Sequence, residues 1–110
     1  MTVKELAEKM NLKIFCGETN LDRTIEGCYV SDLLSDVMGN AKSGMAWITL
    51  QTHQNVAAIA SLKDLSCIIL VKGFEPEEDT LKHAIEEEIP VLGTSQQTFE
   101  TAGQVYQLIC

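Results

Sequence analysis

The residues of this chain whose types could do chemistry gather in one run, Gln51-Thr52-His53-Gln54-Asn55. There an apolar stretch over 45–50 gives way to Val56, Ala57, Ile59 and Ala60 at helical spacing. The pattern reads as a strand, a polar turn and the start of a helix. The first N–H groups of a helix lack partners within it, so such a start suits an anion or a polar small molecule. Beside it stand the Thr52 hydroxyl and the His53 imidazole; the other reading is that one of these two only caps the helix. Two further polar strand ends, Lys72-Gly73 and Thr94-Ser95, are expected on the same edge of a parallel sheet, where ligands of open α/β sheets collect. The predicted ligand-binding set is therefore Thr49, Gln51, Thr52, His53, Asn55, Lys72, Gly73, Thr94 and Ser95.

Catalytic patterns are missing. A P-loop needs a glycine-rich turn followed by Lys and a hydroxyl residue, whereas Gly17, Gly27, Gly39, Gly44, Gly73, Gly93 and Gly103 stand alone. There is no nucleophile elbow, zinc-protease His pair or dinucleotide fingerprint, and His53 and His83 fall on different elements. Cys16, Cys28, Cys67 and Cys110 are 12, 39 and 43 positions apart, which is not metal-ligand spacing; three of them sit in apolar strand patterns as small hydrophobes. No catalytic residue, metal or cofactor is expected, and His53 is the one base candidate worth testing.

The totals narrow the partners. At 110 residues and 45% apolar content, one domain over 1–110 is expected. The net charge of −8, with no basic cluster, argues against nucleic acid, whose backbone is bound by Lys and Arg. Apolar runs reach five residues at most and no secretory signal opens the chain, so neither a membrane span nor export is expected; the expected location is cytoplasmic.

The elements that must position the polar run follow from periodicity. A helix over 2–10 starts at a capping box, Thr2 with Glu5, and stops at Asn11. Strands are expected over 12–16, 25–30, 45–50 and 89–92, with 67–71, five apolar residues without alternation, as the centre of the sheet buried on both faces. Short helical residues 33–38 follow Ser31 or Asp32 as cap. A helix after Pro76 buries Leu81, Ala84 and Ile85, and a last one, capped by Thr94 with Gln97, carries Phe99, Ala102, Tyr106 and Ile109 as core or dimer seam. Arg23 reads as a structural ion-pair partner, Trp47 as a core anchor, and Glu86, Glu87 and Glu88 as a solvated face. Strand and helix alternate from Tyr29 onward, which predicts a layered α/β/α domain with a largely parallel central sheet of about four to five strands.

Residues 21–110 resemble a DRTGG domain, the small α/β module of some phosphotransacetylases and CBS-domain pyrophosphatases. The resemblance is carried by Asp22-Arg23-Thr24, by Tyr29-Val30-Ser31-Asp32-Leu33-Leu34-Ser35-Asp36-Val37, and by Trp47-Ile48-Thr49-Leu50-Gln51-Thr52-His53 with Asn55. Ile25-Glu26 stand where the family name expects two glycines. The chain is also similar to the N-terminal domain of HPr kinase/phosphorylase at Val3-Lys4-Glu5-Leu6, Leu21-Asp22-Arg23, Cys67-Ile68-Ile69-Leu70-Val71 and Ile89-Pro90-Val91-Leu92, without that family's P-loop domain. The resemblance implies an HPr kinase N-terminal-domain-like fold and a stand-alone, non-catalytic regulatory or sensor module, homodimeric. Such a module would bind a small anionic metabolite or nucleotide, or regulate a partner enzyme; the alternative is a pure protein–protein interaction or dimerisation module.

Overall fold

Thr2 accepts from the Glu5 amide at 3.1 Å while the Glu5 carboxylate accepts from the Thr2 amide at 2.9 Å, so the first helix, α1 (Val3–Met10), begins on the expected capping box. It ends at Asn11 in the left-handed conformation, φ 54°. The computed structural model describes residues 1–53 and 55–110; Gln54, within the polar turn, lies outside the described residues. After α1 come β1 (Lys13–Cys16), a 3-10 turn (Glu18–Asn20), β2 (Gly27–Val30), α2 (Leu34–Asn40), β3 (Met45–Thr49), α3 (Asn55–Leu62), β4 (Cys67–Leu70), α4 (Glu78–Glu86), β5 (Val91–Gly93) and α5 (Thr98–Ile109).

The sheet runs in the order β1-β5-β4-β3-β2, with every pair parallel except β1 against β5. The expected central strand, β4, is the middle of five, and its residues alternate between two cores. Ile68 and Leu70 join Trp47, Val56, Ala57, Ala60 and Ala84 beneath α2, α3 and α4, whereas Cys67 and Ile69 join Ala46, Ile48, Leu6 and Val105 beneath α1 and α5. Each crossover steps to the next strand in the same direction, so crossovers of one hand place α2, α3 and α4 on one face and leave the other to the terminal helices. The parallel strands never reverse order, and the break in the sequence of strands comes where β1 adds beside β5.

β1 departs from simple alternation. Ile14 pairs with Leu92 and Cys16 with Val91, so Phe15 is an extra residue in a bulge and packs with Cys16 on the α2–α4 side, leaving Ile14 exposed. Gly93 makes room for that ring, since a Cβ there would lie 2.5 Å from Phe15 Cε2. Gly17, at φ 90°, brings the chain against Pro90, whose Cα would sit 2.3 Å from an added Cβ.

Several local expectations are corrected by packing. α5 starts at Thr98 with Gln97 as its cap residue, so Thr94 and Gln97 form no capping box; the Thr94 hydroxyl instead accepts from the Gln96 amide at 3.2 Å. The helix expected after Pro76 does form, as α4 from Glu78, and buries Ala84, but Ile85 faces solvent and Thr80 is buried instead; α2 starts after Leu33. On α5, Thr101 and Val105 meet the sheet and Phe99 and Tyr106 stand 85% and 70% exposed. Arg23 does form an ion pair, at 2.9 Å, with Asp64. No helix among the described residues is long and apolar enough to cross a membrane.

Candidate functional site

The carboxyl ends of β2, β3, β4 and β5 lie on one edge of the sheet, and the polar residues expected there are held by two separate networks. The first centres on Asp32, just beyond β2. One carboxylate oxygen accepts from the Thr49 hydroxyl at 2.9 Å and from the Leu50 amide at 2.7 Å, while the Asp32 carbonyl accepts from Gln51 Nε2 at 2.9 Å. Thr49 is thereby buried and satisfied, and its oxygen also accepts from the Gln51 amide. Next along, the Thr52 carbonyl accepts from the Thr80 hydroxyl at 2.7 Å and the Glu77 amide at 3.0 Å, tying the turn to the start of α4. The His53 carbonyl accepts from the Val56 amide, and Asn55 is the exposed first residue of α3. Nearby, the Tyr29 hydroxyl donates to Asp36 at 2.8 Å and, with Ser31, holds that carboxyl below the usual carboxylate range.

The second network joins the ends of β4 and β5. The Lys72 amide donates to the Gln96 carbonyl at 2.8 Å, the Gly73 amide to the Thr94 carbonyl at 2.9 Å, and the Thr94 amide to the Leu70 carbonyl at 2.9 Å. Lys72 and Gly73 both take left-handed backbone conformations, φ 62° and 77°, which turn the chain sharply out of β4. Against this doubled loop lies a cleft of about 380 Å³, lined by Met10, Asn11, Lys13, Phe15, Gly73, Phe74, Glu75, Gly93, Thr94, Ser95 and Gln96. It exists because β1 enters antiparallel: Lys13 pairs with Gly93, so the start of β1 and the end of α1 arrive at the carboxyl end of β5.

Of the predicted set, then, Gly73, Thr94 and Ser95 line this cleft, while Thr49, Gln51, Thr52, His53 and Asn55 belong to the turn beside it and the Lys72 side chain stays outside the lining. Reasoning from sequence missed Lys13, Phe15, Phe74 and Gln96 at the cleft and the use of Asp32 as the brace of the β3 turn. Asp32 carries a signal, a carboxylate directly after a strand, but in sequence it reads equally, with Ser31, as a helix cap. The β1 residues carried none, since their place depends on an antiparallel pairing that no local pattern marks. Among the described residues, no three His, Cys, Asp or Glu side chains gather as a metal site.

Fold and site together define a small layered α/β domain, with its polar groups at the carboxyl edge of a mostly parallel sheet. The chain belongs to the DRTGG domain family, whose model matches residues 5–108. Among solved structures it is similar to the CBS and DRTGG domains of the regulatory region of Clostridium perfringens pyrophosphatase, complexed with the activator diadenosine tetraphosphate. That superposition has a TM-score of 0.77 at 14% identity and covers 96% of this chain and 46% of the other, so the chain spans less than half of that neighbour's length. A comparison with curated proteins found no match.

Proposed function

We propose that this chain is a non-catalytic regulatory module that binds a small anionic metabolite or nucleotide and transmits its occupancy to a partner enzyme. The observation that carries the reading is the cleft of about 380 Å³ at the carboxyl ends of β4 and β5, within the roughly 300–1,000 Å³ usual for small-molecule sites. Membership of the DRTGG family and likeness to a regulatory region support it, and the nucleotide class is taken from the activator bound in that neighbour. Transmission has a route: Phe74 and Glu75 leave the cleft wall for α4, whose start is bonded to the Thr52 carbonyl and so to the turn braced by Asp32.

A thermal-shift screen against nucleotides and phosphorylated metabolites tests this. A ligand that binds only the folded chain stabilises it by about 2.7 kcal/mol at a hundredfold excess over Kd, a rise in Tm on the order of 10 °C for a domain of this size. A library that shifts nothing refutes the ligand-binding reading. The second reading, a dimerisation or protein-interaction module, is favoured by the outer face of α5, where Phe99 and Tyr106 are 85% and 70% exposed. Sedimentation of the wild-type chain and of Tyr106→Glu tests that face as a dimer seam: a dimer that the substitution dissociates supports it, and a monomer in both removes it, while the metabolite screen separates the two readings.

A further inference from the structure

The chemistry of the cleft narrows its ligand, on the assumption that the chain is a ligand-binding regulatory module. We infer that the cleft takes a nucleoside monophosphate, with the base against Phe74 and the single phosphate on Lys13, and discriminates against polyphosphates.

Phe74 lines the cleft and is 46% exposed, which leaves part of an aromatic ring open to a ligand. Every nucleobase has a π-face that stacks on such a ring, at a gain that depends only modestly on base identity. The lining also carries a cation. Gly93 admits the Phe15 ring against the end of β5, and Lys13 Nζ lies 4.9 Å from the centroid of that ring, which holds the ammonium at the cleft.

Charge then sets the number of phosphates. Lys13 is the one cation in the lining among the described residues, Glu75 is a carboxylate on the same wall, and Glu77, Glu78 and Asp79 follow directly in a chain of net charge −8. One ammonium offsets one phosphoryl group; further phosphates would share a lining that holds the Glu75 carboxylate and no second cation among the described residues. The volume of about 380 Å³ lies near the lower end of small-molecule sites, which also disfavours an extended dinucleotide polyphosphate. Around the base and sugar, Asn11 at the end of α1 offers donors and acceptors, as do Ser95 and Gln96 on a loop held by the backbone bonds of Lys72 and Gly73.

Titration calorimetry on the whole chain with AMP, adenosine, inorganic phosphate, ATP and diadenosine tetraphosphate tests the inference. AMP is expected to bind at least tenfold more tightly than each of the others. Lys13→Gln should abolish the preference of AMP over adenosine, and Phe74→Ala should weaken AMP and adenosine alike by about tenfold. Both side chains are exposed, so unchanged Tm values for the unliganded variants confirm that folding is intact; should Phe74→Ala misfold, Lys13→Gln decides alone. The inference is overturned if ATP or the dinucleotide binds as tightly as AMP, if phosphate alone reproduces the effect, if AMP does not bind, or if AMP affinity survives Lys13→Gln. A polyphosphate that binds as tightly as AMP and stabilises the chain overturns the monophosphate class but leaves the regulatory reading standing. Failure of these probes and of the whole metabolite screen removes both.

Discussion

Asp32 does at one position what three residues would otherwise share, accepting from a side chain and two groups of the turn after β3. Arg23 likewise reaches across the fold, to the carboxylate of Asp64 at 2.9 Å and its carbonyl at 2.6 Å. The Ser43 hydroxyl, at 2.6 Å, and then Arg23 hold the Asp64 carboxyl below the ordinary carboxylate range. A carboxyl whose folded pKa is depressed adds stability above its unfolded pKa, near 4, and that stability is lost as pH falls through the lower folded value. With Asp64 65% exposed, solvent screening keeps the contribution below about 1 kcal/mol. Melting wild type and Asp64→Asn between pH 7 and pH 2 checks the sign: the wild-type advantage should be present at neutral pH and vanish in acid. The sequence revealed Arg23 as a structural cation but not its partner, because Asp64 lies 41 residues away and only the fold brings it near.

At the scale of elements, α5 shows where periodicity stops being informative. Phe99, Ala102, Tyr106 and Ile109 recur at helical spacing, yet the sheet accepts Thr101 and Val105, with Ala102, Leu108 and Ile109 at the margin. A helix lying over β2 and β3 must approach closely, and small or β-branched side chains permit that where aromatic ones do not. Urea unfolding should therefore show Val105→Ala losing about 2 kcal/mol, from two buried methyl groups and the cavity they leave. Tyr106→Glu should change monomer stability by no more than about 0.5 kcal/mol. The reverse result would mean that α5 docks by its aromatic face. By contrast α1 was legible throughout, because its capping box, its left-handed stop and its buried Val3, Leu6 and Ala7 are all local signals that agree.

For the whole molecule, stability rests on a sheet with a core on each side, and β4 serves both. Ile69, fully buried at the middle of the sheet, is expected to lose about 2–5 kcal/mol on replacement by Ala, a large part of the roughly 5–15 kcal/mol available to a domain. Calorimetric melting of Ile69→Ala should show either a steeply lowered Tm or no folded state. The sequence by itself determined the alternation of strands and helices and the centre of the sheet. Five apolar residues without alternation can be buried only between two layers, and that condition is written locally. Only the tertiary structure decided that β1 runs antiparallel beside β5, and with it that Lys13 and Phe15 meet Gly93, Thr94 and Phe74 around one cleft. Pairing between distant segments is chosen by which sheet edge stays open once the crossovers are laid down, and no run of neighbouring residues records that choice.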